Sequence, residues 1–403
     1  MIVKNIALLG HKDHGKSTLI GQLLIQTGAA TKVRIKEAET YSKRLGRAFE
    51  PAFILDSFAE ERLNEMTYDT TRAEIKHKDL AFALIDVPGH EELIKNMISG
   101  ASYGEAAVLL VSAKPDEGIR DQTKRHLFIA RMLGINRLIV AVNKMDTIGY
   151  SSDRFNAIAK SLNEFILSIG FEARNVAYIP ISAYAGENLT KKSMMMKWYK
   201  GKPLIDLLYD NSRQPTAEGG NELRIVVQGT LPNGMVAGKI VSGSVKLGEK
   251  VVVLPEGIPA TIGSIVVRGA KARVGTAGEN VALSLEGALP GEMRGTLISA
   301  TADIPKVTDR IRLKVFVTGA FGKSMRVKFN GVDIPCKTIR VLRTIDTTTG
   351  EIVASTKPKL LEAVEADVTL ARKVPVESYG VTRELGRFVL YNGDRFVGIG
   401  ISE

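Results

Sequence analysis

A run of four apolar residues, Ile6, Ala7, Leu8 and Leu9, stops at Gly10, and five residues later stands Gly15-Lys16-Ser17. The spacing is G-x-x-x-x-G-K-S, a phosphate-binding loop pattern, set between a strand-like run and a helical periodicity over residues 16–26. The strand and helix on either side are the context this motif requires, and the backbone N–H groups of such a loop point inward and cradle phosphate oxygens. Glycines allow the close approach. Lys16 is set to reach the β- and γ-phosphates, and Ser17 to hold Mg²⁺. The nucleotide-binding candidates from this stretch are His11, Asp13, His14, Gly15, Lys16, Ser17 and Thr18.

The first half of the chain continues in the same style. Apolar runs at 80–85, 107–111, 138–142 and 176–181 alternate with helical periodicities at 91–99, 122–133 and 154–168. Strands that are apolar on both faces and joined by helices predict a mostly parallel sheet covered on both sides. Three further motifs sit at predicted strand ends. Asp86-Val87-Pro88-Gly89 offers a carboxylate for a Mg²⁺ contact at Asp86 and an N–H for the γ-phosphate at Gly89. Asn143-Lys144-Met145-Asp146 places a carboxylate, Asp146, where it can accept two N–H bonds from guanine and none from adenine. Ser182 and Ala183 can supply backbone contacts to the base. Taken in this order, the four motifs predict a guanine-nucleotide site for GTP and GDP. Between the first two, Thr67 is the candidate switch hydroxyl for Mg²⁺, with Thr70 and Thr71 as neighbouring competitors.

Near residue 211 the pattern changes. Residues 211–220 are polar with Pro and Gly and read as a linker. Beyond it, short alternating runs broken at Gly or Pro predict two antiparallel β-barrels. The predicted fold is therefore multidomain: a P-loop GTPase domain over 1–212, a first β-barrel over 213–302 and a second over 303–403. The 403-residue length suits such a division. Of the +11 net charge, over half falls in residues 304–403, which hold 17 Lys and Arg against 11 Asp and Glu. That balance favours a polyanionic partner such as RNA. No apolar run approaches the ~18 residues that span a bilayer, so no membrane partner is expected. One cysteine, Cys336, precludes an internal disulfide framework, and Cys and His are too few for a zinc site of those ligands. With the first strand so near Met1, no leader peptide is expected, and a reducing cytoplasmic setting is.

The stretches "GHKDHGKSTL", "DVPGHEELIKNMISGAS", "NKMD", "PISAYAGENLTKKS" and, at the C-terminal end, "ELGRFVLYNGDRFVGIGI" resemble the translational GTPases, most of all the elongation factor 1-alpha and Tu group. The resemblance implies that His90 positions the attacking water as the catalytic residue. It implies that Thr67 binds Mg²⁺ and that Asp13 lies beside a monovalent cation near the phosphates. It further implies a GTPase that turns over on the ribosome, delivers an RNA-bearing ligand such as aminoacyl-tRNA or a tRNA-shaped protein, and is reset by a nucleotide exchange factor.

The chain also departs from that family. Lys12 stands where a small apolar gate residue is usual. The switch reads Glu61-Arg62-Leu63-Asn64-Glu65-Met66-Thr67 without the usual Arg-Gly pair. Where the family's aminoacyl-end pocket carries a His-His-Glu-like stretch, this chain has Arg268-Gly269-Ala270. Two other readings therefore stand beside the elongation factor: a termination or ribosome-rescue GTPase carrying a protein, and the GTPase subunit of ATP sulfurylase in sulfate activation.

Overall fold

A computed structural model describes residues 2–46, 48–55, 72–86, 106–213 and 222–403. The chain divides into two compact units, Met1–Thr216 with Thr347–Gly350, and Ala217–Asp346 with Glu351–Glu403.

The first unit is built on a six-stranded sheet. Its strands are β1 (Ile2–Gly10), β2 (Arg72–His77), β3 (Leu80–Asp86), β4 (Ala106–Ser112), β5 (Arg137–Asn143) and β6 (Val176–Pro180), in the order β2-β3-β1-β4-β5-β6. All neighbours are parallel except β2 and β3. Every residue of β4 and β5 is buried, the signature of a parallel strand covered on both faces. The described helices are α1 (Lys16–Gln26), α2 (Lys32–Arg44), α3 (Asp121–Met132), α4 (Ser152–Ser168) and α5 (Leu204–Arg213). In α1, Leu19, Ile20, Leu23 and Leu24 recur at helical spacing and are buried against the sheet core. The Ser151 hydroxyl caps α4 by accepting from the Arg154 N–H at 3.3 Å.

The expected strands and helices lie where periodicity put them, each end shifted by a few residues at most; the predicted helix over 91–99 is outside the described residues. Three elements of the first unit, α2, β2 and α5, were not anticipated. Helix α2 buries only Ala38 and Ser42, so its apolar stripe is too narrow to show as a period. Strand β2 alternates exposed and buried residues and carries Arg72, Glu74 and Lys76 outward, as befits an antiparallel edge. One expectation is corrected. Helix α5 runs to Arg213, so residues 211–213 are helical, not linker. Leu204, Ile205, Leu208 and Tyr209 bury one face of α5, and the Arg213 guanidinium donates to the Tyr209 hydroxyl one turn back at 2.9 Å.

The second unit holds two closed antiparallel barrels. The first contains β7 (Arg224–Thr230), β8 (Val236–Ser242), β9 (Ser244–Lys246), β10 (Lys250–Leu254), β11 (Ile258–Val267), β12 (Ala270–Ala272), β13 (Val274–Thr276), β14 (Asn280–Glu286) and β15 (Leu297–Ala300). Six strands run β10-β15-β7-β8-β14-β11, and the β10–β11 pairing closes the ring. The second contains β16 (Lys306–Val317), β17 (Met325–Phe329), β18 (Val332–Ile345), β19 (Ile352–Val353), β20 (Ala363–Val376), the one-turn helix α6 (Arg383–Gly386), β21 (Arg387–Asn392) and β22 (Arg395–Ser402). Its ring runs β17-β21-β22-β16-β20-β18 and closes through β17–β18. Closure leaves no open sheet edge within either ring. Among the described residues, no helix is long and apolar enough to cross a membrane.

Candidate nucleotide site

The four motifs expected at strand ends are carried by β1, β3, β5 and β6, at the same edge of the sheet. Strand β1 lies between β3 and β4, the point where chain order reverses and where open α/β sheets bind ligands. At the end of β1, Gly10 has φ +135°, and a Cβ there would lie 2.5 Å from the Leu110 carbonyl oxygen. A short 3-10 turn, Lys12–His14, follows. Gly15 then takes φ +88°, and a Cβ there would lie 2.6 Å from Asn143 Nδ2. Both glycines are thus required by conformation and by space.

Lys16 is buried, and its ammonium donates to the carbonyls of Gly10 and His11, each at 3.2 Å, so it spans the loop. Burial pushes its pKa below the ordinary lysine value, and the charges of Asp86 and Asp13 oppose that shift. Ser17 Oγ donates to Asp86 Oδ2 at 3.4 Å, which joins the first two motifs. A hydroxyl and a carboxylate are hard oxygen donors, the set that suits Mg²⁺. Thr18 Oγ1 donates to Glu50 Oε1 at 2.9 Å, a partner that no motif announced.

The histidines of the loop differ. His11 Nδ1 accepts from the Asp13 N–H at 3.5 Å, and Lys12 and Asp13 are exposed. His14 is buried, with Nδ1 3.0 Å from the Leu110 carbonyl, so Nδ1 carries the proton and donates. Burial drives its pKa down to about 4, against the opposing Leu110 bond, and the charge of His11 lowers it further. His11, Asp13 and His14 share a cavity of about 670 Å³ with Glu117 and Gln122.

The third and fourth motifs meet across β5 and β6. Asn143 Nδ2 donates to the His14 carbonyl at 2.8 Å, and Asn143 Oδ1 accepts from the Ala183 N–H at 2.8 Å. Asn143 thereby ties the loop after β1 to the loop after β6. Ser182 Oγ donates to Asp146 Oδ1 at 2.5 Å and accepts from the Ala185 N–H at 3.0 Å, so the Asp146 carboxylate is oriented by its neighbour motif. Lys144 adopts φ +63°, and its ammonium donates to Glu117 Oε2 at 2.6 Å. Burial raises the Glu117 carboxyl, but hydrogen bonds from Lys144 and Ser112 and the charges of Lys144 and Lys114 prevail and hold it at about 2. Glu117 and Glu50 were missed because neither sits in a motif; only through-space proximity reveals them. Thr67, Gly89 and His90 lie outside the described residues.

The sequence profile of the elongation factor Tu GTP binding domain matches residues 1–233, and that of the GTP-eEF1A C-terminal domain-like family matches residues 319–403. The chain belongs to the elongation factor Tu and 1-alpha family. Elongation factor 1-alpha of Ignicoccus hospitalis is 33% identical over 98% of this chain and 95% of its own length. That of Saccharolobus solfataricus is 33% identical over 98% and 96%. Among solved structures, the GTP-bound Ski7 GTPase-like domain of S. cerevisiae superposes with TM-score 0.56 at 16% identity, over 100% of this chain and 97% of that one, a likeness of fold alone. Membership in the elongation factor family carries guanine-nucleotide binding and GTP hydrolysis, and sets the chain among the translational GTPases as a divergent member.

Proposed function

We propose that this chain is a Mg²⁺-dependent GTPase that delivers aminoacyl-tRNA to the ribosome from the cytoplasm. The observation that carries the reading is coverage: similarity to elongation factor 1-alpha extends over 98% of the chain, both barrels included, and is not confined to the nucleotide domain. In this reading the N–H groups of the loop and Lys16 hold the phosphates, Asp146 reads the guanine, and Ser182 and Ala183 close the base slot. Ser17, Asp86 and Thr67 hold the magnesium, which when bound offsets the charge on the β- and γ-phosphates. His90 orients the attacking water, and Gly89 senses the γ-phosphate. A monovalent cation beside Asp13 and an exchange factor complete the cycle.

A second reading, a rescue or termination GTPase with a protein cargo, draws support from the first barrel. Where the family places its aminoacyl-end pocket, β11 and β12 are joined by a two-residue turn. Its residues Arg268 and Gly269 have φ +51° and +81°, a tight hairpin that presents Arg268 to solvent.

The deciding experiment measures hydrolysis of the aminoacyl-tRNA ester with and without the GTP-bound chain, together with GTPase stimulation by ribosomes. Protection with stimulation supports delivery of aminoacyl-tRNA. Stimulation without protection overturns it in favour of the protein cargo.

A further inference from the structure

The loop between β4 and α3 brings to the site a residue that the nucleotide motifs do not include. It is pinned at several points. The Ala113 N–H donates to the Asn143 carbonyl at 2.8 Å, and Arg154 Nε of α4 donates to the Ala113 carbonyl at 2.9 Å. The Lys114 N–H donates to Ser112 Oγ at 3.2 Å, and the N–H groups of Glu117 and Gly118 both return to the Lys114 carbonyl. This turn aims the Glu117 carboxylate at Lys144. Oε2 receives the Lys144 ammonium at 2.6 Å, while Oε1 lies 3.5 Å from Lys114 Nζ. Both members of the closer pair are about four-fifths shielded, with side chains 22% and 21% exposed, so the contact is better protected from solvent screening than a surface pair.

Lysine is otherwise a poor wall for a binding slot. Its four-carbon stem has many rotamers, and ordering it opposes binding. Here the backbone of Lys144 is set by its left-handed conformation between Asn143 and the turn Met145–Ile148, and the far end of its side chain is held by Glu117. Anchored at both ends, the stem is a fixed surface beside Asp146.

We propose that Glu117 is a positioning residue for guanine-nucleotide binding, acting through Lys144 to pre-organise the base slot and slow nucleotide release. The inference rests on the reading of Asn143, Lys144 and Asp146 as the base-recognising motif. Glu117 acts on the part of the ligand that GTP and GDP share, so its effect falls equally on both.

The test is release of a fluorescent GDP and a fluorescent GTP analogue from the full chain, by stopped flow, in Glu117→Gln, Glu117→Asp, Lys144→Ala and the double variant Glu117→Gln with Lys144→Ala. Glu117→Gln is expected to speed release of both nucleotides about five- to tenfold without changing their ratio. Glu117→Asp, which keeps the charge, is expected to recover part of that loss. The double variant is expected to release no faster than Lys144→Ala alone. Unchanged release in Glu117→Gln, a change in the ratio, or a further loss on the Lys144→Ala background overturns the role of Glu117 through Lys144. Unchanged release in Lys144→Ala instead overturns the base-site reading, and the inference with it.

Discussion

Asn143 holds His14 by its backbone: Asn143 Nδ2 donates to the His14 carbonyl at 2.8 Å across 129 positions of sequence. The other end of the same amide accepts from the Ala183 N–H, so one buried side chain sets the spacing between the loop after β1 and the loop after β6. Asn143→Ala strands a buried carbonyl and a buried N–H at once. Urea unfolding is expected to show a loss of roughly 2–5 kcal/mol. GTP affinity should fall with it, because the two loops lose their common anchor. A stable variant with unchanged affinity would show that the loops keep their spacing without the bridge.

Asp146 is oriented by Ser182 Oγ at 2.5 Å, which leaves its second carboxylate oxygen for the base. Asp146→Asn should move preference from GTP towards xanthosine triphosphate, since the amide donates where the carboxylate accepted. Competition binding of the two nucleotides checks this. Undiminished guanine preference would refute the assignment.

For His90, substitution by Ala should leave GTP affinity near that of the unmodified chain while ribosome-stimulated hydrolysis falls about 10²-fold or more. Affinity from equilibrium titration and single-turnover hydrolysis separate the two. A parallel loss of both would count against a role in positioning water.

Acidification should weaken the first unit through His14. Its folded pKa of about 4 lies below the ordinary 6.5, so between those values the unfolded chain takes up a proton that the buried ring refuses. Stability from this group is complete above pH 6.5 and declines as the pH falls towards 4, by an amount on the order of 3 kcal/mol. The groups facing the ring are His11, Glu117 and Lys144. Glu117, held at about 2, contributes in a separate window, lost only as the pH falls below its ordinary 4.5. Unfolding measured at several values from pH 7 to 4.5 should show a slope that flattens in His14→Gln. An equal slope in both proteins would remove His14 as its source.

Gly21 lies inside α1, where Ala ordinarily gains about 1 kcal/mol. Here a Cβ would fall 1.9 Å from the Pro51 carbonyl oxygen, which is backbone and cannot swing aside. Gly21→Ala should therefore destabilise by about 2 kcal/mol or more, the reverse of the propensity expectation. Thermal or urea unfolding decides the sign.

How much of this protein could be read from its residues follows from the range over which each signal acts. Periodicity acts locally, and it was enough for α1 and for the two fully buried strands β4 and β5. It failed for α2, whose buried stripe is two residues wide, and for the charged edge strand β2. Motif order and spacing led to the guanine nucleotide, because loop chemistry is written in consecutive residues such as Gly15, Lys16 and Ser17. Apolar runs alternating with helical periodicity, followed by short alternating runs broken at Gly or Pro, anticipated an α/β domain followed by two barrels.

The sequence by itself determined where strands hand over to loops, which residue types stand at those ends, and hence the ligand class. Only the tertiary structure decided that Asn143 bridges two loops, that His14 is buried on Leu110, that Gly21 faces Pro51, and that Glu117 grips Lys144. The reason is physical. Backbone conformation and burial period are set by neighbours along the chain, whereas a polar side chain's partner is set by the parallel register that brings separate strand ends to one edge of the sheet.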